Sequence, residues 1–232
     1  MIPLLSIPFY NRRDLLLRCV ASIDYPVKQL LVVQNGKEDG TVEPNKFVEN
    51  WTLIRHPNAG VAASWNEAIK FFPEDWWLLS NNDIQFSPGD LERMANAIAE
   101  GDGCYYGNHG ASWFGVTKGA IKQVGLFDEN IFPAYLEDCD WSTRADRLGV
   151  KRTTVQGCRA IHGDAKSCGS CTIMSDDAVR AKNHQTHGRN FQYYQRKWGG
   201  INGQETFQRP FNDPNWPMQH WVFDPDFRKE QM

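Results

Sequence analysis

No stretch of the chain approaches the roughly 20 consecutive apolar residues that a membrane-spanning helix needs. Residues 1–10 hold two prolines and no basic segment ahead of an apolar one, so a secretory leader is not expected there. The expectation is a soluble, cytoplasmic protein. Cysteine is sparse, six in 232 residues, which excludes a disulfide scaffold and leaves reduced thiols as the simpler state. Surplus positive charge is missing too: 25 Lys and Arg stand against 28 Asp and Glu, a net charge of −3 with the basic residues scattered, so no field attracts a nucleic-acid backbone. Internal repeats and low-complexity tracts are absent. What is present is 41% hydrophobic content, enough for one substantial core.

The apolar residues are distributed in short runs. In DWWLLSNNDIQFSPGD, residues 75–90, the four apolar residues at 76–79 do not alternate with polar ones, which predicts a strand buried on both faces. It ends in Ser80, Asn81, Asn82 and Asp83. Ser87, Pro88 and Asp90 then read as the start of a helix with Leu91, Met94, Ala95 and Ile98 on one face. Asp83 is thus a lone carboxylate at the carboxyl end of a buried strand, where open α/β sheets bind their ligands. Upstream, residues 4–9 predict a strand, followed by a helix capped by Asn11 with Leu15, Leu16, Cys19, Val20 and Ile23 as its stripe. Residues 29–34 predict a second strand closed by Asn35-Gly36, and residues 51–55 a third. The latter leads through His56-Pro57-Asn58-Ala59-Gly60 to a helix marked by Val61, Trp65, Ala68, Ile69 and Phe72. This alternation predicts an α/β fold with a mostly parallel central sheet and helices on both faces.

Beyond Glu100 the chain turns rich in glycine and aromatics, with a short helix expected around 118–124. Trp141, Ala145 and Leu148 form a helical stripe ended by Gly149, which puts Glu137 and Asp138 in the first turn. A helix dipole there lowers a carboxylate pKa, like-charge repulsion within the pair opposes it, and sequence does not decide between them; an ordinary helix start is one reading of the pair. Residues 201–232, with Phe207, Phe211, Trp216 and Trp221 among prolines, read as an irregular aromatic arm packed on the domain. Cys168-Gly-Ser-Cys171 with Cys158 and His162 upstream matches zinc-ligand spacing only loosely, and two loop thiols are the simpler reading.

Several short motifs occur in order: Ile7-Pro8-Phe9-Tyr10-Asn11-Arg12; Val32-Val33-Gln34-Asn35-Gly36 with Asp39-Gly40-Thr41; Asn58-Ala59-Gly60-Val61 with Asn66; Asn81-Asn82-Asp83. Gly125-Leu126-Phe127-Asp128-Glu129 then leads to Phe132 and Glu137-Asp138, with His162 and Ser167 downstream. Together they resemble the family 2 nucleotide-sugar glycosyltransferases over roughly residues 2–200. The resemblance implies a GT-A fold with a glycosyltransferase domain at 1–200, nucleotide-binding over 1–100 and acceptor-binding and catalytic over 101–200. It implies Asp138 as catalytic base with Glu137 orienting the pocket, and Asp83 and His162 as ligands of Mn²⁺ or Mg²⁺. Nucleotide or sugar contacts fall to Pro8, Tyr10, Asn11, Arg12, Asn35, Asp39, Asn58, Gly60, Asn66, Asn81 and Asn82. Trp113 and Tyr135 are candidate platforms for a sugar ring, although aromatics are more often core.

The implied reaction moves a sugar from a UDP-, dTDP- or GDP-sugar to a glycan, lipid-linked or protein-borne acceptor hydroxyl, with inversion and without processive polymerisation. Two departures stand out. The family's Asp-x-Asp begins here with Asn81, and the acid that often follows the second strand is Gln34, which leaves the base preference open. Two other readings remain. One is a non-catalytic carbohydrate- or zinc-binding module. The other is a nucleotidyltransferase, although the loop Phe9-Tyr10-Asn11-Arg12-Arg13 lacks the glycines that cradle a triphosphate.

Overall fold

The apolar runs form the strands of a seven-stranded sheet in the computed structural model, which describes residues 1–164, 167–168 and 171–219. Strands β1 (Ile2–Phe9), β2 (Val27–Gln34), β3 (Val48–Arg55) and β4 (Trp76–Ser80) are mutually parallel in the order β3-β2-β1-β4. The sheet continues through β7 (Gly110–Thr117), antiparallel to β4, then β6 (Cys104–Gly107) and β8 (Arg152–Thr154). Neighbours along each strand go to opposite faces. Leu5, Val32 and Leu78 enter a core under α1 (Arg13–Ala21) and α3 (Asp90–Ile98). Leu4, Leu31 and Leu79 enter a second core under α2 (Val61–Phe71), α4 (Lys118–Val124) and α5 (Glu137–Arg147). Both faces are covered, which is why the strands read as unbroken apolar runs. Truncating a residue such as Leu79 to Ala would cost about 2–5 kcal/mol.

Two helix starts differ from the sequence expectation, each because a distant partner takes the capping group. Asn11 does not cap α1: its amide donates to the Thr172 carbonyl at 3.1 Å, and Arg12 occupies the cap position in a left-handed conformation. Ser87 does not cap α3. Its hydroxyl donates to the Arg159 carbonyl at 2.8 Å, while the Asp90 carboxylate accepts the N–H groups of Ser87 and Arg159, and Gly89 takes the cap position.

Besides β6, β7 and β8, which the glycine- and aromatic-rich stretch after Glu100 did not announce, a small sheet and two helices are not evident from hydrophobic periodicity. A small sheet in the order β10-β9-β5 joins β5 (Ile84–Gln85), β9 (Ile161–Asp164) and β10 (Ser167–Cys168), pairing Ile84 with His162. A short helix α6 (Cys171–Met174) precedes α7 (Asp177–Trp198), 22 residues long. The buried face of α7 is Thr186, Asn190, Tyr193, Tyr194, Lys197 and Trp198, polar or aromatic throughout, so no apolar stripe announces it. Its ends were nonetheless marked, by Asp176 accepting from the Ala178 and Val179 N–H groups and by left-handed Gly199.

At the far end of α7, Lys197 Nζ stands 2.7 Å from both Asp128 Oδ2 and Asp140 Oδ1, and Asp140 also holds Arg144 at 3.0 Å. All four side chains are buried. Two cations against two carboxylates leave no uncompensated charge, so the cluster binds α7, α5 and the segment before α5 together. The arm after Gly199 packs back through Met218 onto Tyr194 and Trp198, and through Phe211 onto Tyr193 and Trp216. Trp221 lies outside the described residues. Among those described, no helix is long and apolar enough to cross a membrane.

Candidate active site

The carboxyl ends of β1, β2 and β4 open into a cleft of about 320 Å³, closed on the far side by the loop before α5 and by α6 and the first turns of α7. A volume of this order suits a small-molecule ligand. The cleft gathers Pro8, Tyr10, Asn35, Asn58, Gly60, Asn81, Asn82, Asp83, Tyr135, Glu137, Asp138 and His162. Asn11, Arg12, Asp39, Asn66 and Trp113 are not among its lining residues.

Strand pairing decides what stands beside Asp83. Because β5 follows Asp83 directly and Ile84 pairs with His162, the imidazole Nε2 comes within 3.2 Å of Asp83 Oδ1. Asp83 is buried, with Oδ2 accepting the Cys171 N–H at 3.0 Å. His162 Nδ1 lies 3.3 Å from the Ser112 hydroxyl, and the His109 ring is 5.5 Å away. Close as Nε2 is to Oδ1, the two are not aligned for a hydrogen bond, and buried Nε2 has no partner. An oxygen and an imidazole nitrogen that is not hydrogen-bonded, 3.2 Å apart, fit a divalent ion, since neighbouring ligands on one octahedral ion stand roughly 3 Å apart. Among the described residues no group of three His, Cys, Asp or Glu is arranged to hold a metal, so such an ion would draw its remaining ligands from substrate and water. Cys158 is packed in the core beside Asp90 and Arg93, and the Cys168 side chain lies outside the described residues.

Across the cleft, Glu137 and Asp138 open α5 after two consecutive left-handed residues, Tyr135 (φ 73) and Leu136 (φ 80). Glu137 is buried, and its Oε2 has no hydrogen-bond partner. Burial, reinforced by the charge of Asp138, pushes its carboxyl up to about 8. Burial also raises Asp138, against the stabilising Cys139 N–H, which donates to Oδ1 at 2.8 Å. Sequence alone set the lowering by the helix dipole against like-charge repulsion within the pair. Burial outweighs the dipole. Around neutral pH Glu137 is therefore protonated, which spares Asp138 a charged neighbour and leaves Asp138 the group that ionises first.

Residues outside the wall have other work. Trp113 is fully buried, edge-on to Phe86 in the core, and is no sugar platform here. Asn66 is fully buried and braces the loop before α5, exchanging hydrogen bonds with the Phe127 backbone and donating to Glu129. Asp39 is exposed and pairs with Arg55 at 3.1 Å. Arg12 pairs with Asp14 and with Asp164. Gln34, standing where an acid was looked for, spans the loop after β2 by accepting from Gly40 N–H and donating to the Gly36 carbonyl. Within the wall, the amides of Asn35 and Asn82 are engaged by protein, Asn35 with Ser64 and Ala59, Asn82 with Asn11 and Thr172.

Gly60 has a geometric role: at φ 91, a Cβ there would lie 2.9 Å from the Pro133 carbonyl oxygen. Periodicity did not anticipate Trp65, His109, Thr172, Lys182 or Asn183 as lining residues. Lys182 and Asn183 sit on α7, which had no readable stripe, and Trp65 looked like ordinary core.

This architecture is found in solved structures. The mannosyltransferase PcManGT from Pyrobaculum calidifontis, solved in complex with GDP-Man and Mn²⁺, shares the fold at a TM-score of 0.56 and 16% identity, covering 81% of this chain and 63% of that one. TarS of S. aureus does so at 0.51 and 14% identity, covering 69% and 36%. The fold is that of GT-A glycosyltransferases, as the resemblance implied. A galactofuranosyl glycosyltransferase from Leishmania donovani is 30% identical over 159 residues, 60% of this chain and 36% of its own length. The chain thus spans about a third of that curated relative. Residues 5–130 match the sequence model of glycosyl transferase family 2. That match covers more than half of the 232 residues and runs from the first strand to the loop ahead of Glu137 and Asp138, so the chain belongs to glycosyl transferase family 2.

Proposed function

We propose that this protein transfers a sugar from a nucleotide-diphosphate sugar to an acceptor hydroxyl, with inversion and one addition per encounter. The observation that carries the reading is the facing arrangement in one cleft: Asp83 beside His162 at the strand ends, and buried Glu137 with its neighbour Asp138 opposite. Asp83 and His162 would hold Mn²⁺ or Mg²⁺, whose chemistry there is to neutralise the charge of a departing diphosphate. Imidazole in the set favours Mn²⁺. Pro8, Tyr10, Asn58 and Asn81 line the donor side, and with the amides of Asn35 and Asn82 committed to protein, Asn81 is the amide best placed to bond ribose or sugar. Asp138 accepts the proton of the attacking hydroxyl, and neutral Glu137 keeps the second negative charge away while the base acts. Tyr135 offers the acceptor an aromatic face at the cleft wall.

The reading divides the chain into a donor half over 1–100, an acceptor and catalytic half over 101–200, and an arm over 201–232. A GDP- or UDP-sugar is the donor class to test first, with a glycan, lipid-linked or protein-borne acceptor. The test is melting temperature with GDP, UDP or dTDP, each with and without Mn²⁺, followed by release of nucleotide diphosphate from the matching sugar donor. A nucleotide stabilisation that needs Mn²⁺, with turnover of the donor, is the expected result. A protein that binds simple sugars or zinc but no nucleotide is instead a binding module.

A further inference from the structure

We infer that Asn190 is a positioning residue for Glu137 and Asp138: from α7, its amide clamps the backbone of the 132–136 loop that delivers both carboxylates to the cleft. The inference rests on the reading of Asp138 as the base. Asn190 is fully buried and is not among the residues lining the cleft. Its Oδ1 accepts the Phe132 N–H at 3.2 Å, and its Nδ2 donates to the carbonyls of Ala134 at 2.9 Å and Tyr135 at 3.3 Å. One side chain thus serves three backbone groups of a single short loop.

The loop needs such support. Tyr135 and Leu136 both hold the left-handed conformation, which costs any residue with a Cβ, and two in succession persist only where surrounding structure over-determines them. These two residues turn the chain so that α5 begins with Glu137 facing inward. On its other side the Val61 N–H donates to the Pro133 carbonyl at 2.8 Å, with Gly60 allowing the close approach. Asn190 holds the loop from α7, and the chemistry is specific: one acceptor and two donors on a short side chain are what an N–H and two carbonyls require. Aspartate would turn acceptors towards the Ala134 and Tyr135 carbonyls, and alanine would remove all three of these hydrogen bonds. Helix α7 lies beyond the residues matched by the family model, so the clamp comes from a part of the chain that the match does not cover.

The test uses the full chain with Asn190→Ala and Asn190→Asp, and Asn190→Ser as the milder variant should either fail to fold. Three quantities are read: affinity for GDP or UDP with Mn²⁺, kcat for donor hydrolysis or transfer, and the change in melting temperature between pH 5 and pH 8. Affinity should stay within about 2-fold, because the donor side hangs on β1 and β4. Misplacement of the base should lower kcat by about 10²-fold, with Asp worse than Ala. The alkaline loss of stability contributed by Glu137 should shrink towards that of Glu137→Gln, since water then reaches the carboxyl. Unchanged kcat, or affinity and kcat falling together with the pH response intact, overturns the inference and leaves Asn190 a structural residue. If the parent protein turns over no donor, the functional reading fails, yet the pH response still decides whether Asn190 sets the environment of Glu137.

Discussion

The two sides of the cleft are built by different means. On the β1–β4 side, site groups sit where a strand stops: Pro8 and Tyr10 at the end of β1, Asn35 after β2, Asn81 to Asp83 after β4. Their positions follow from the register of a parallel sheet whose apolar runs leave little choice. On the α5 side, Glu137 and Asp138 follow an irregular loop and are held by groups far along the chain: Asn190 on the loop, and Lys197 bridging Asp128 and Asp140 one turn into the helix. One half of the site is placed by secondary structure and the other by buried polar contacts. Substitutions on the first side should therefore remove ligands locally, whereas those on the second should move the machinery.

The widest separation of the two sides is expected from Asp138→Asn. Removing the proton acceptor while preserving size should lower kcat by about 10²–10⁴-fold, with nucleotide affinity barely changed. In the parent, kcat should fall as pH drops through the raised Asp138 pKa. Turnover at the parent rate would take the base away from Asp138 and make its side of the cleft scaffolding only.

Next in size is Lys197→Met, which strands buried Asp128 and leaves Arg144 as the cation of the cluster against two carboxylates. The loss should be about 3–5 kcal/mol of stability, read by chemical denaturation. A loss under about 1 kcal/mol would mean that the α5 side does not depend on its buried ions.

Asp83→Asn probes the strand-end side. Calorimetric titration should show Mn²⁺-dependent nucleotide binding weakened by at least about 10-fold while the melting temperature without ligand moves little. Retained metal dependence would remove Asp83 from the metal site.

Glu137→Gln sharpens the contrast through pH. The Glu137 carboxyl has a folded pKa near 8 against an ordinary value of 4.5. Between those values the unfolded chain has lost the proton that the folded chain keeps, so stability falls as pH rises through that window, by up to about 1.4 kcal/mol per pH unit. The variant should flatten this decline and be more stable than the parent at pH 8, with near equality at pH 4. A parallel pH profile would show that burial does not hold Glu137 protonated.

The smallest effect is expected from Asp39→Asn. Asp39 is exposed, paired with Arg55, and not among the cleft-lining residues, so nucleotide affinity should change by less than about 2-fold. A large change would draw the loop after β2 into the donor site.

The parallel sheet, the helices α1, α2, α4 and α5, and the placement of Asp83 at the end of β4 were all legible in the sequence. Each rests on a local signal: an apolar run covered on both faces, a 3.6-residue stripe, a glycine stop. The pairing of Asp83 with His162 was not derivable from periodicity, because it depends on two-residue β5 finding β9 across the chain. Helix α7 escaped notice because its buried face is satisfied by hydrogen bonds and ion pairs instead of apolar contacts, and such a face looks like surface until its partners are known. Local rules also misjudged Asn11 and Ser87, whose side chains are taken by distant partners, and left the pKa of the Glu137–Asp138 pair undecided between dipole and repulsion until burial settled its direction. The amino-acid sequence by itself determined the parallel strands, the helices packed on them and the carboxylates that end up near a ligand, since backbone geometry and hydrophobic period act over a few residues. Only the tertiary structure decided which of those carboxylates is neutral and which loop is held in a costly conformation. Desolvation and buried hydrogen bonds are properties of the packed molecule, set by residues distant in the chain.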